Sequence, residues 1–325
     1  MTSDKARIWS GFWPRLLAWI IDCMILGAVC FGIGWFAMDY VSAWGSNGRA
    51  FGLVLGVLYF GIMSSGLAGG RTFGMRVCGL KVSGIKGRPL GLASAFGRAL
   101  LLVAPMLLNG WMISVQDEKL VYAFEILAII AVFGVWLAQI YLFLFNLPTR
   151  RLVHDLIFRS VVVRADAQDF VVPPSRVHAI VAALLVAGVA GLALAAPSMI
   201  KAWMPKIQAT VSPLQKVQDA VNALPEVSDT EAFDNTTTFY STSGPAQTSR
   251  TLIVTARVRA WPSDVKRELA RIGAATVKSY RFAPGQQLTV KITYGFDLGF
   301  GSYSRGESNQ YSTQCTTEDV KCLAN

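Results

Sequence analysis

A chain of 325 residues that is 53% hydrophobic and only 15% charged, with a net charge of +10, is not built like a soluble protein, in which about a quarter of residues are charged. Two histidines and five scattered cysteines exclude a Cys/His metal cluster and a disulfide-stapled mini-protein. The apolar residues are concentrated in long runs, so the sequence reads as an integral membrane protein.

A bilayer core takes about 20 mostly apolar helical residues, because no water is present there to satisfy the backbone. Five stretches qualify in chain order: Leu16 to Phe36, Phe51 to Ala68, Ala93 to Ile113, Leu120 to Phe145 and Val177 to Ile200. The third holds Arg98 and Pro105, and a re-entrant or interfacial helix is its other reading. Lys5 and Arg7 ahead of the first run suggest a cleaved leader, but Asp22 interrupts the apolar core and no A-x-A site follows, so it reads as a span. The connection from Gly69 to Leu92 carries Arg71, Arg76, Lys81, Lys86 and Arg88 without an acid, and Asn146 to Arg176 is also rich in arginine. Basic short loops stay in the cytoplasm, which puts the amino terminus inside, the carboxyl terminus outside, and an even number of crossings between the two loops.

Three blocks stand out: GFWPRLLAWIIDCMIL near the amino terminus, GGRTFGMRVCGLKVSGIKGRPLGL in the middle, and TRRLVHDLIFRSVVV after the fourth span. Together, over about residues 8 to 165, they resemble the RDD family of membrane proteins, named for one arginine and two aspartates. The matching positions are Arg15, Asp22 and Asp155. Phe158-Arg159 departs from the small residues expected there. The resemblance implies a multi-pass protein of the bacterial inner (plasma) membrane, with ligand transport as the usual suggestion.

Arg15 and Asp22 lie seven positions apart, two helical turns and about 10 Å of rise, on one face. Arg15 can snorkel to headgroups. Asp22 sits deeper and needs a partner or a wet cavity, with Arg98, His154 and Asp155 as candidates. These residues are either a solute or ion site or a charged clasp between helices. Glu125 and Gln139, 14 positions apart on the fourth span, are secondary polar candidates. No inverted repeat of the kind seen in many transporters is evident.

Met75 to Ser83 alternates like a strand, and Arg159 to Arg164 is β-branched, so the two should pair as a small cytoplasmic ribbon. No P-loop motif is present. The basic loops suit anionic lipid headgroups. Ala183, Ala187, Gly191 and Ala195 form a small-residue stripe, and Gly52 and Gly56 offer a complementary surface for it within the chain or in a second copy.

From Lys201 the composition turns polar. Gln215 to Ala223 reads as a short helix, followed by a polar stretch to Ser249 rich in Thr, Ser, Asp and Asn. Thr251 to Arg259 reads as a strand, Ser263 as the cap of a helix through Arg271, and Thr276 to Phe282 and Gln287 to Tyr294 as two more strands. Tyr294, Phe296, Leu298 and Phe300 alternate with Gly295, Asp297, Gly299 and Gly301, placing aromatics on one face. Cys315 and Cys322 enclose six residues and should pair as a disulfide in an oxidising compartment.

The expected architecture is a membrane all-α helical bundle of about five transmembrane helices with a small cytoplasmic β-ribbon, plus a C-terminal soluble α+β domain. Residues 1–170 form the four-helix membrane module, 177–200 the fifth span and 201–325 a periplasmic domain. Two functions fit: transport of a small solute or ion through Arg15, Asp22, Arg98 and Asp155, or a membrane scaffold whose periplasmic domain binds a protein or envelope component. A homo-oligomer fits the first. No nucleophile set, metal set or cofactor motif points to an enzyme, no cofactor is expected, and no nucleic acid is an expected partner.

Overall fold

The computed structural model describes residues 8–111, 118–168, 170–200, 204–239 and 247–312. The chain divides into two compact units that interleave in sequence. The membrane unit comprises Met1–Ile33, Ser46–Met199 and Asp297–Ser302; the second unit comprises Gly34–Gly45, Ile200–Phe296 and Tyr303–Asn325.

Among the described residues, four helical stretches have the length and composition to cross a membrane: Phe12–Phe36 (α1), Met38–Ser64, Tyr122–Phe145 and Arg176–Ala196. The second of these is a short helix α2 (Met38–Val41), a 3₁₀ segment with Gly45 at φ 55°, and α3 (Gly48–Ser64). A five-residue helix α4 (Phe73–Val77) and strand β1 (Leu80–Gly84) follow. The expected third span is helix α5 (Leu92–Leu108), whose 17 residues rise about 26 Å, a few ångströms less than a bilayer core. The next span is α6 (Glu118–Ile129), a π-helical turn, then α7 (Trp136–Phe145). Helix α8 (Val153–Ile157), strand β2 (Ser160–Arg164) and α9 (Arg176–Ile200) complete the unit.

Strands β1 and β2 pair antiparallel, as expected, with Leu80 opposite Arg164, Val82 opposite Val162 and Gly84 opposite Ser160. The residues ahead of Leu80, expected to be strand, instead form α4, because Thr72 caps it by accepting the Met75 amide at 3.1 Å.

This ribbon exposes a repeat. Positions 73–77 and 80–84 recur as short helix and strand at 153–157 and 160–164, an offset of 80 throughout. The backbone recurs with them: Gly70 and Arg150 have φ 70° and 49°, and Gly79 and Arg159 have φ 65° and 50°. Each set is preceded by a long helix and followed by another. Val82 and Val162 are equivalent positions and face each other, so the pairing is symmetric about them. The two halves repeat in parallel, not inverted, order.

The small-residue surfaces are used differently from the expectation. A side-chain carbon on Gly52 would collide with the Leu298 carbonyl oxygen, and one on Gly48 with that of Asp297; Phe300 packs against Gly56 and Val103. The turn Asp297–Ser302 thus occupies the face expected to receive the α9 stripe. Ala183, Ala187 and Gly191 of that stripe are exposed. Helix α9 packs instead through Ala182, against Ala138 and Leu142 of α7. Phe158, the departure from the family pattern, is accommodated by Gly97, which has no side chain to oppose its ring.

The second unit contains α10 (Met204–Asn222), β3 (Val227–Phe239), β4 (Gln247–Val258), α11 (Val265–Ser279), β5 (Gln287–Asp297) and β6 (Ser302–Ser312). Its sheet has the order β3-β4-β5-β6, with β4 and β5 parallel and linked through α11. Leu252, Val254, Ala256 and Val258 of β4 and Leu288, Val290 and Ile292 of β5 alternate inward, and Val217, Val221, Leu269 and Ile272 from the helices cover them. The α+β class is as expected, but three details differ. Asp264, not Ser263, caps α11 by accepting the Arg267 amide at 3.0 Å. Helix α11 continues through Thr276, whose β-branched side chain suggested a strand but bonds back to the Ile272 carbonyl at 2.9 Å. The polar stretch before Ser249 contains β3, an edge strand that needs few apolar residues. The Cys315–Cys322 pair lies outside the described residues.

The left-handed positions supply a test of the repeat. Arg159 is exposed and holds a conformation that its counterpart Gly79 adopts without strain. Arg159→Gly should raise stability by up to about 1 kcal/mol, and Gly79→Ala should lower it by a similar amount. Thermal unfolding of the detergent-solubilised variants reads both.

Candidate functional site

A cavity of about 320 Å³ lies within the membrane unit, lined from α1, α3, α4, α5, α7, α8 and the strands β1 and β2. Arg15, Asp22, Arg98 and Asp155 all line it, as do Gln139 and His154. Glu125 does not; it is exposed on α6. Most of the wall is apolar, including Trp19, Phe60, Leu102, Met106, Trp136 and Phe143.

Asp22 is 1% exposed, and burying a carboxylate at that depth requires donors. They are not the charged groups expected from sequence. Tyr59 Oη and Thr72 Oγ1 each donate at 2.6 Å, and the Gly74 amide donates at 2.8 Å. Tyr59 Oη in turn accepts the Phe73 amide at 3.2 Å. Asp22 therefore fastens α1 to α3 and to the start of α4. The clue in the sequence was Thr72, a capping residue within the Gly-Gly-Arg-Thr-Phe-Gly block; Tyr59 carried no local signal.

Arg15 does not snorkel outward. Its Nη1 donates to the Arg150 carbonyl at 2.6 Å, and Nη2 to the Thr149 and Val162 carbonyls at 2.8 and 2.7 Å. Its Nε bonds Ser10 Oγ. In the first repeat, the Val82 amide donates directly to the Gly70 carbonyl at 2.7 Å. In the second, the Arg15 guanidinium spans the equivalent residues Arg150 and Val162.

Arg98 and Asp155 form an ion pair at 2.9 Å, with side chains 3% and 1% exposed. Asp155 also accepts from Ser160 Oγ at 2.7 Å and from the Leu152 amide at 3.3 Å, and Arg98 Nη1 reaches Ser64 Oγ at 3.5 Å. The pair joins α5 to α8 and the end of α3. Burial pushes the Asp155 carboxyl up, but Arg98, His154, Arg15 and the Ser160 hydroxyl together hold it below the usual carboxylate range.

His154 is 1% exposed, and its Nδ1 is buried with no hydrogen-bond partner among the described residues. Its Nε2 lies 3.7 Å from Asp155 Oδ1. Burial, with repulsion from Arg98 and Arg15, outweighs Asp155 and lowers its pKa to about 3, so the imidazole is neutral. Gln139 stands 80 positions after Tyr59. Tyr59 gives its hydroxyl to Asp22, whereas the Gln139 amide makes no hydrogen bond among the described residues.

Two predictions follow from this geometry. Asp155→Asn leaves the Arg98 charge buried and unpaired and should destabilise the protein by about 3–5 kcal/mol, while the double change Arg98→Met with Asp155→Leu should lose much less than the sum of the single losses. Chemical denaturation of the solubilised variants measures the difference. The second concerns pH. The folded-state pKa values of His154 and Asp155 both lie below their unfolded values, so the unfolded chain takes up protons first and stability falls as pH falls. His154 should contribute a slope of about 1.4 kcal/mol per pH unit from near pH 6.5 downward, with Asp155 joining near pH 4. His154→Phe should flatten the upper part of the profile.

The model of the RDD family matches residues 9–159. No curated protein and no solved structure matches the chain. The matched stretch includes α1, the first repeat, the short helix of the second and every polar residue named in the cavity wall. This chain is therefore a multi-pass membrane protein whose residues 9–159 match the model of the RDD family.

Proposed function

We propose that the membrane unit binds a small solute in the cavity and carries it across the bacterial inner membrane, with the amino terminus cytoplasmic and the second unit in the periplasm. The observation that carries this reading is the cavity itself, which lies where α1 meets both repeats. Membrane carriers built from repeats place their substrate sites at the repeat interface, including those whose repeats run parallel. The loop charges support the orientation. Arg76, Lys86 and Arg88 are exposed on the first basic loop, suited to anionic headgroups at the cytoplasmic surface.

The scaffold reading has one observation of its own. Among the described residues, the four-stranded sheet leaves two long edge strands, β3 of 13 residues and β6 of 11, and an open edge accepts a partner strand.

Cysteine accessibility separates the two. In a background with all five cysteines replaced, Gln139→Cys in a carrier should react with a membrane-impermeant thiol reagent in both spheroplasts and inverted vesicles. Reaction from one side only, or from neither, would favour the scaffold.

A further inference from the structure

The charged groups of the cavity wall are all engaged by the protein. Asp22 has three donors, Arg15 four acceptors, and Arg98 and Asp155 have each other. Separating one of them from its partners would strand a buried charge. Most of the remaining wall is apolar, and on one side it reaches the outside of the bundle. Trp19, Trp136 and Ile140 line the cavity and are also 39%, 40% and 54% exposed, so they stand between the cavity and the surroundings. The rings of Phe12 and Phe143, stacked at 4.7 Å, join α1 to α7 at the ribbon end. Helix α1 begins and α7 ends at this contact. Trp19 lies seven positions after Phe12 and Trp136 seven before Phe143, so each sits two turns and about 10 Å deeper on the face its phenylalanine occupies. Leu16 and Ile140 fall between the two aromatic pairs and line the cavity. Helix α9 lies along Gly134, Ala138 and Leu142, on a different face of this span, and leaves the gap between α1 and α7 to the bilayer.

We propose that the cavity binds an acyl chain of a bilayer phospholipid, which enters sideways between α1 and α7 from the leaflet at the ribbon end. Both helices belong to stretches long and apolar enough to cross a membrane, so a gap at this depth meets hydrocarbon and not water. Lipid chains are as apolar as the side chains that flank the gap, and one can pass without dehydrating a polar group. Water is a poor occupant, since a buried water needs about two to four polar partners and the charged groups already have theirs. An empty cavity forfeits dispersion contacts along its wall. A flexible chain restores them while its headgroup stays at the surface. Chain binding does not rest on the carrier reading, because it holds for a carrier at rest and for a scaffold alike.

The test uses the full chain in nanodiscs of phosphatidylethanolamine and phosphatidylglycerol, with a trace of phosphatidylethanolamine that carries a diazirine midway along one acyl chain. After illumination, adducts are located by peptide mass spectrometry. We expect adducts on Phe60, Leu102 and Met106 in the cavity wall, as well as on Leu184 and Leu192, which are exposed on α9. Ile140→Trp narrows the gap from α7 and should lower the cavity adducts severalfold relative to those on α9. Leu16→Trp narrows it from α1, should do the same, and serves if Ile140→Trp does not fold. Adducts on α9 with none on the three cavity residues would overturn the proposal. Cavity adducts that a folded variant leaves unchanged would also overturn it, since the chain would not be entering between α1 and α7. Carriage is decided separately by labelling of Gln139→Cys: reaction from both membrane faces without cavity adducts would leave a carrier whose cavity fills from water.

Discussion

The Arg98–Asp155 ion pair, with both side chains almost completely buried, constrains how the rest of the membrane unit is assembled. Two charges removed from water are tolerated only if they meet each other and their remaining hydrogen-bonding atoms are satisfied. Arg98 lies on α5 and Asp155 on α8, 57 positions apart, so the bond exists only when the two halves of the unit are in register. Ser64 and Ser160 complete the coordination from α3 and the first residue of β2. A well-packed apolar pair would give comparable stability, whereas one misplaced charge is strongly destabilising. The pair therefore selects one arrangement over its neighbours more than it adds net stability.

Arg15 and Asp22 apply the same logic from α1, with different partners. Asp22 receives neutral donors around the start of α4, in the first repeat. Arg15 gives its N–H groups to carbonyls around the turn and strand of the second. The first helix, which belongs to neither repeat, is thus tied to both by opposite charges two turns apart. The asymmetry has a local cause. Gly70 lets Val82 approach closely enough for a direct backbone hydrogen bond, and in the second repeat a guanidinium bridges the equivalent pair. Two stretches with little common sequence reach one backbone path because glycine meets a left-handed requirement in one, and arginine is held there by its surroundings in the other.

That difference explains what the sequence revealed and what it concealed. The long apolar runs and the two ribbon strands were legible because burial and β-branching act locally. So were the four charged residues, since charge within an apolar run is conspicuous. The partners of Asp22 were not legible: a tyrosine and a threonine carry no sign of which acid they serve until the helices are packed. The repeat was hidden because Gly79 and Arg159 share a conformation and not a side-chain chemistry. Strands β3 and β6 were missed for a related reason, since edge positions tolerate polar residues that resemble loops. The glycines of α3 were correctly read as a close-contact surface. The occupant, a turn of backbone about 245 residues away, could not be inferred from helix spacing alone.

The charged residues that first drew attention are better understood as the frame of the cavity than as its working groups. A carboxylate with three short hydrogen bonds and a guanidinium with four are held firmly, and a group so held is poorly placed to exchange partners with a passing ion. What such a frame provides is a fixed space with a largely apolar wall. If intramembrane charge alone marked function, the site would be Asp22 and Arg15. Their hydrogen bonds close them off, and the wall between them is mostly apolar.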